Sequence, residues 1–189
     1  DRVAVVTLDG ELVLLAGADG NEIWRYKGIT NGASLISNAS PAIDGDLERA
    51  LAKLPVLAEF RSHLGGLDAG VFDGVFGNPT ASQVMAGAAA FKEHRADAVI
   101  GFGGGAALDV AKVVALMAVH DGNVIEYVWD HPKVRPIVNA LPCFIALPTT
   151  SGTGSEVGRS SVVAEDDTHV KRSVFSPKLL AQAVFADPE

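Results

Sequence analysis

The chain has 189 residues, enough for one compact domain, or one domain with an appended piece. Apolar residues make up 48% and charged residues 20%, with a mean hydropathy of +0.25, which excludes a disordered or collagen-like chain. The net charge of −8 argues against nucleic acid or an anionic membrane as partner, because no surplus of cations is present to neutralise phosphates. We therefore expect a small-molecule partner.

A single cysteine, Cys143, excludes an intramolecular disulfide and a thiolate zinc site, and we expect it to be a core residue. No apolar run approaches the roughly 18 residues of a membrane-spanning helix, and the N-terminus lacks a signal-peptide pattern. We therefore expect a cytoplasmic protein. Because the sequence starts with Asp1 instead of Met, we also expect an expressed fragment or an excised piece.

The first 46 residues have the composition of β structure. Two β-rich runs flank Asp9 and Gly10, the pair that a type I′ hairpin turn requires. Residues 22–27 then alternate polar and apolar side chains with the period of a strand. Residues 37–46 are typical of a loop. We predict an N-terminal antiparallel β segment over residues 1–46.

Beyond this segment, helical patterns alternate with short apolar runs. Asp46 can cap a helix that continues to about His63, with Pro55 kinking or splitting it. Thr80 and Gln83 have the spacing of a capping box for a second helix, which reaches about His94. A third helix is predicted from residue 106 to about residue 119.

The short apolar runs predict strands. They lie at residues 69–72, 98–102, 144–147, 161–164, 172–175 and 183–186. Alternation of this kind predicts an α/β fold with a Rossmann-like parallel sheet and flanking helices. The N-terminal antiparallel β segment is additional to that sheet.

A glycine-rich stretch at residues 101–106 joins a predicted strand to a predicted helix. Glycines there let the backbone approach a pyrophosphate, and the helix N-terminus offers free N–H groups. A tight turn that needs small residues explains the same glycines equally well. The acidic residue of the ordinary dinucleotide fingerprint would be Asp121, which follows the helix instead of ending a strand, so that fingerprint is not satisfied.

A second loop, composed largely of small residues and located at residues 147–156, also follows an apolar strand. It has three threonines, two serines and two glycines, a composition suited to wrapping polar ligand groups at the carboxyl edge of a sheet. A flexible polar loop is the alternative, less favoured because the triple glycine lies about 45 residues upstream.

Several ordered motifs between residue 54 and residue 189 resemble the N-terminal, cofactor-binding half of the iron-containing (group III) alcohol dehydrogenases. They are NPT at 78–80, GGGAALDVAK at 103–112, PTTSGTGSE at 148–156, SPKLL at 176–180 and ADPE at 186–189. The threonine loop is the most specific of them, because related glycerol dehydrogenases and dehydroquinate synthases share the triple glycine but vary that loop.

This resemblance implies hydride transfer between a small alcohol or aldehyde and NAD or NADP, with a divalent metal, iron or zinc, in the parent enzymes. Position by position it implies cofactor-binding roles for Asn78, Gly103, Gly104, Gly105, Ala106, Asp109, Thr149, Thr150, Thr153 and Lys171. The turn would hold the pyrophosphate, the threonines would lie toward the nicotinamide, and Lys171 would reach the ribose. Ala106 replaces a family serine, so we expect a lower affinity.

Besides Ala106, the sequence departs from the family pattern in two larger ways. The family's metal site, an aspartate and three histidines, lies in a C-terminal half that would begin just after residue 189, and the five histidines here lack ligand spacing. No metal ligand is therefore assigned. The family's opening strand, whose terminal acidic residue helps to choose between NAD and NADP, is missing before Leu54.

Residues 1–46 instead resemble a blade repeat of the quinoprotein-type β-propellers, on D-G-x-L and G-x-E-x-W spacings. We divide the chain into this segment and an incomplete dinucleotide-binding domain at residues 47–189. The leading hypothesis is the NAD(P)-binding portion of an iron-type alcohol dehydrogenase that is not catalytically competent alone. The alternatives are an interaction module, which could form a homo-oligomer through its β edges, and an engineered chimera without enzymatic activity.

Overall fold

The computed structural model describes the backbone of residues 2–6, 11–16, 22–27, 33–38, 55–64 and 68–186, and the side chains of residues 57–64 and 68–186. In chain order the strands are β1 (Arg2–Val6), β2 (Glu11–Ala16), β3 (Glu22–Lys27), β4 (Ala33–Asn38), β5 (Ala69–Phe72), β6 (Ala98–Gly103), β7 (Cys143–Pro148), β8 (Ser160–Ala164), β9 (Lys171–Phe175) and β10 (Ala183–Val184). The helices are α1 (Pro55–His63), α2 (Ala81–His94) and α3 (Gly105–Ala118). None of the helices in these ranges is long and apolar enough to cross a membrane.

A five-stranded parallel sheet forms the centre of the fold. Its strand order is β10-β7-β6-β4-β5, and every pairing within it is parallel. From β4 to β7 a helix lies between each strand and the next along the chain, which is the arrangement expected for parallel neighbours. The predicted α/β class, with a parallel sheet, flanking helices and an N-terminal antiparallel segment, is confirmed.

The strand β4 corrects the sequence analysis. Residues 37–46 were expected to form a loop, and the family's opening strand was expected to be missing before Leu54, but β4 extends through Ser37 to Asn38 and adds a parallel strand between β6 and β5. Its serine and asparagine residues carry little strand propensity. Pairing on both sides supplies the backbone hydrogen bonds that outweigh this weak preference.

The first three strands form a separate antiparallel sheet, in the order β1-β2-β3. Its β2 and β3 shift register between Leu14 and Leu15, and the hairpin turn expected at Asp9 and Gly10 lies outside the described residues. A propeller blade has four antiparallel strands. Here the fourth strand, β4, instead enters the parallel sheet, which gives no support to the propeller-blade interpretation.

Local sequence signals explain where the helices begin. Helix α2 begins with the predicted capping box, in which the Thr80 hydroxyl accepts from the Gln83 N–H and the Gln83 side chain accepts from the Thr80 N–H, both at 3.3 Å. The described helix α1 begins at Pro55, a residue favoured at a first helical position. The proposed cap at Asp46 lies outside the described residues.

Side chains on the two faces of the sheet enter two different apolar clusters. Val99 of β6 packs with residues of α2 and α3, whereas Ile100 and Phe102 pack with Cys143 and with Leu57 of α1. The Phe102 ring stacks on Phe60 of α1 at 5.9 Å between ring centroids. The helices therefore cover both faces, and Cys143 is buried as expected.

The strands β8 and β9 form an antiparallel hairpin outside the parallel sheet. A connection of only six residues joins them, which is too short for the crossover that a parallel pair needs. A backbone bond from the Ala164 N–H to the Pro79 carbonyl, 2.7 Å, attaches the end of β8 to the segment before α2.

Candidate functional site

Three neighbouring strands end together at the carboxyl edge of the parallel sheet. The register pairs Asn38 of β4 with Gly103 of β6, and Gly103 with Pro148 of β7. The glycine turn, residues 103–106, and the threonine loop, residues 149–155, follow directly from β6 and β7. In open parallel sheets this edge is where ligands bind.

The glycine turn leads directly into α3. Gly103 has a φ of 146°, which a residue with a side chain rarely adopts. Gly104 is the N-cap of α3, and no side chain of the described residues caps it. The N–H groups of the first turn therefore have no side-chain partner, and they carry the positive end of the helix dipole.

The threonine loop lies directly against this turn. The Thr149 N–H donates to the Gly103 carbonyl at 3.0 Å. A Cβ at Gly105 would lie 2.7 Å from Thr153 Oγ1, so a side chain at this position would require Thr153 to move. The side chains of Thr149, Thr150 and Thr153 are exposed.

Asn78 and Lys171 lie on two segments that meet through β8. Lys171, at the start of β9, is paired with Ala164, and Ala164 bonds to Pro79, the residue next to Asn78. Both side chains are exposed. The topology thus joins the segments that carry these two predicted site residues, and their contacts with a cofactor stay predictions.

Asp109, one helical turn into α3, has both carboxylate oxygens occupied by protein donors. The Ser155 hydroxyl donates to Oδ1 at 2.7 Å, and the Val162 N–H donates to Oδ2 at 3.0 Å. The Ser161 hydroxyl donates to the Asp109 backbone carbonyl at 2.8 Å. Asp109 therefore connects α3 to the threonine loop and to β8.

Lys112, which the sequence analysis did not select, is the largest fully buried side chain among the described residues. Its Nζ donates to the Ser155 carbonyl at 2.6 Å, the Ser155 Oγ at 2.9 Å and the Ser160 carbonyl at 2.9 Å. A lysine flanked by apolar residues on α3 was the available signal, because a buried cation requires partners.

Burial disfavours the charged forms of Asp109 and Lys112. It raises the pKa of the Asp109 carboxyl, against the Ser155 and Val162 hydrogen bonds and the Lys112 charge, which lower it. Burial also lowers the pKa of the Lys112 ammonium, against the attraction of Asp109 and then Glu156. The three acceptors around Nζ nevertheless match the three N–H groups of a charged ammonium.

The described residues do not contain a group of three or more His, Cys, Asp or Glu side chains that could hold a metal ion. His120 and His94 bond to the backbone of the chain instead. The donor set in this part of the protein therefore does not fit a metal centre, whereas the uncapped helix start and the close loop fit a pyrophosphate.

Comparison with known proteins identifies the family. The family model described as iron-containing alcohol dehydrogenase matches residues 47–188. A 4-hydroxybutyrate dehydrogenase of Cupriavidus necator is 38% identical over 124 residues, covering 66% of this chain and 32% of that protein. A 1,3-propanediol dehydrogenase of Klebsiella pneumoniae is 33% identical over 123 residues, covering 65% and 31%. The chain thus spans about a third of the length of these relatives.

Solved structures agree with this result. A 1,3-propanediol oxidoreductase superposes with a TM-score of 0.72 at 29% identity, covering 85% of this chain and 38% of that one. An alcohol dehydrogenase from Oenococcus oeni superposes with a TM-score of 0.71 at 26% identity, covering 84% and 39%. These superpositions cover 85% and 84% of this chain. The residues left out are therefore fewer than the 46 of the N-terminal segment, so part of residues 1–46 also superposes.

The propeller-blade resemblance of residues 1–46 finds no support in these matches. The sheet, the glycine turn and the threonine loop all lie within or beside the matched range, which covers most of the chain. The chain belongs to the iron-containing alcohol dehydrogenase family.

Proposed function

We propose that this chain is the dinucleotide-binding portion of an iron-type alcohol dehydrogenase and that it binds NAD or NADP at the carboxyl edge of its parallel sheet. Family membership supports the class of enzyme. The glycine turn supports the position of the pyrophosphate, because free N–H groups and the positive end of α3 favour a bound anion.

The observation that carries this proposal is the close contact between the glycine turn and the threonine loop. Thr149 bonds to Gly103, and Thr153 Oγ1 lies only 2.7 Å from the position that a Cβ of Gly105 would take. Two loops with small residues and free donors thus meet at a single edge, beside an uncapped helix of 14 residues. A tight turn alone would not require the second loop to approach so closely.

Each site residue has a specific part in the proposal. The backbone N–H groups of Gly105 and Ala106 would donate to the pyrophosphate, without the hydroxyl that a serine at Ala106 would add. The exposed hydroxyls of Thr149, Thr150 and Thr153 would line the nicotinamide side. Exposed Lys171 would reach the ribose, and Asn78 would lie near the cofactor. These two roles, and the placing of the threonines toward the nicotinamide, rest on the family resemblance.

The parent reaction would be hydride transfer between a small alcohol or aldehyde and the nicotinamide, which supplies the hydride acceptor or donor when bound. The named relatives act on 4-hydroxybutyrate and 1,3-propanediol, according to their names, and small hydroxylated substrates are proposed here by analogy. Because the described residues do not hold a metal-ligand group, we expect the chain alone to bind the cofactor without turning over an alcohol.

A fluorescence titration with NADH tests the binding claim. We expect saturable enhancement of the nicotinamide emission, competed by NAD. A Gly105→Val variant should bind at least about tenfold more weakly, because its side chain occupies the contact with Thr153. The Gly158→Ala variant is the matched control, since its Cβ would meet neighbours at an ordinary 3.6 Å, and its affinity should stay unchanged.

Two results would contradict the proposal. One is the absence of any saturable change at about 1 mM chain and NADH. The other is equal affinity of the Gly105→Val variant and the unaltered chain, with circular dichroism showing both to be folded, because binding would then occur away from the turn.

A further inference from the structure

The side chains of half-buried Asp109 and of buried Lys112 and Ser155 form one hydrogen-bonded unit, here called the loop clamp. Asp109 and Lys112 are three residues apart on α3, and their charged atoms are 3.9 Å apart. Ser155, at the end of the threonine loop, lies between them: its hydroxyl donates to Asp109 and accepts from Lys112. Every polar atom at the centre of the unit therefore has a partner.

The loop clamp attaches the far end of the threonine loop to α3. Its near end is attached by the bond from Thr149 to Gly103. Between these two attachments Thr153 contacts the Gly105 position, and the Thr153 hydroxyl accepts from the Ser155 N–H at 3.3 Å. The position of Thr153 over the turn is thus set through Ser155.

Burying these charges is a costly way to hold two segments together. A buried ion pair contributes little net stability compared with apolar side chains of similar volume, because both groups lose their hydration. Hydrogen bonds have strict directions, however, whereas apolar contacts tolerate sliding. A clamp made of polar groups is therefore better suited to fixing a loop position than to raising the free energy of unfolding.

We infer that Asp109, Lys112 and Ser155 are positioning residues, which hold the threonine loop at the distance from the glycine turn that a dinucleotide requires. This inference rests on the proposed function for its ligand. It assigns Asp109 an indirect role, because both of its carboxylate oxygens already accept protein donors. Ser155 acts on the cofactor through Thr153, and Lys112 acts through Ser155.

Hydrogen exchange without cofactor tests the positioning directly. In a Ser155→Ala variant, we expect the Thr149 amide to exchange at least about tenfold faster, since the loop then opens from the turn at lower cost. The matched control is Ser161→Ala, which removes another buried hydroxyl bonded to Asp109 but belongs to β8. Its Thr149 amide should exchange at the rate of the unaltered chain.

The dissociation constant for NADH gives the second measurement. Ser155→Ala should weaken binding about tenfold, the effect of a small misplacement of a binding group, whereas Ser161→Ala should change it less than twofold. A triple variant, Asp109→Leu, Lys112→Met and Ser155→Ala, separates the effect of the clamp on the loop position from its effect on the stability of the fold. We expect its melting temperature to equal or exceed that of Ser155→Ala while its Thr149 exchange stays fast.

The outcomes distinguish this inference from the proposed function. If the unaltered chain does not bind NADH, the proposed function fails, and hydrogen exchange still decides whether the clamp positions the loop. The inference is overturned if Ser155→Ala leaves the Thr149 exchange rate unchanged. It is also overturned if Ser161→Ala accelerates exchange equally, because the clamp would then act only through general stability.

Discussion

The His120 imidazole lies just beyond the C-terminal end of α3 with both ring nitrogens bonded to the backbone. Nδ1 is 3.0 Å from the Leu116 carbonyl and serves as the donor, and Nε2 accepts from the Val138 and Asn139 N–H groups at 3.1 and 3.2 Å. The ring is buried and lies edge-on to Tyr127. A single side chain thus attaches the segment before β7 to the end of α3.

Replacing His120 by phenylalanine should destabilise the protein, because the two backbone N–H groups lose their acceptor while the ring volume is kept. We expect a loss of about 1–3 kcal/mol in the free energy of unfolding, measured by urea denaturation. Exposed His63 provides the control, and His63→Phe should stay within about 0.5 kcal/mol of the unaltered chain. Equal losses in the two variants would show that the His120 bonds do not contribute.

At the scale of the element, charged side chains hold the β8–β9 hairpin in place. Arg172 of β9 donates to Glu165 at 2.9 Å and to Asp130 at 2.6 Å, so it connects the hairpin to the segment between α3 and β7. Hydrogen bonds from Thr168 and then Arg172 lower the pKa of Glu165 below its ordinary 4.5. The folded state therefore favours the ionised carboxylate.

This pKa shift predicts how stability depends on pH. Between the lowered pKa and 4.5 the unfolded chain binds more protons than the folded chain, so the Glu165 contribution is present above pH 4.5 and is lost as the pH falls through the folded pKa. In a Glu165→Gln variant, the fall in melting temperature on acidification should become less steep in this window. The control is Asp167→Asn, which removes an exposed carboxylate of the same turn. Its melting temperature should fall more steeply on acidification than that of Glu165→Gln. Identical slopes in the two variants would refute the prediction.

The elements that the sequence predicted correctly are those with strong local signals. The capping box of Thr80 and Gln83 identified the start of α2, and unbroken apolar runs identified β6 and β7. The strand β4 was missed because its last two residues, Ser37 and Asn38, resemble a loop, and its place between two other strands depends on tertiary pairing.

The candidate site shows the same division between local and distant information. The glycine turn and threonine loop were recognisable as motifs, and the register of β6 and β7 brings their starts together. The loop clamp was not recognisable, because Lys112 and Ser155 are 43 residues apart in the chain. Spacing along a sequence does not indicate which distant carbonyl a buried ammonium will contact.

At the scale of the whole molecule, the parallel sheet brings the glycine turn and the threonine loop to one edge while helices cover its faces. The sheet has β10 and β5 as its outer strands, and the predicted association through β edges remains a prediction. The chain spans about a third of the length of its named relatives. Their complete reaction is therefore proposed for this chain only as that of the parent enzymes.

Whether the cofactor binds at the carboxyl edge of the sheet can be read from backbone amide shifts, mapped by nuclear magnetic resonance as NADH is added to ¹⁵N-labelled protein. We predict that the largest shifts occur at Gly103, Gly104, Gly105 and Ala106 and in residues 149–155, with the pyrophosphate affecting the first group. Amides of the β8–β9 connection at residues 165–170 should shift much less. Saturable shifts that are absent from the glycine turn and the threonine loop would contradict the account.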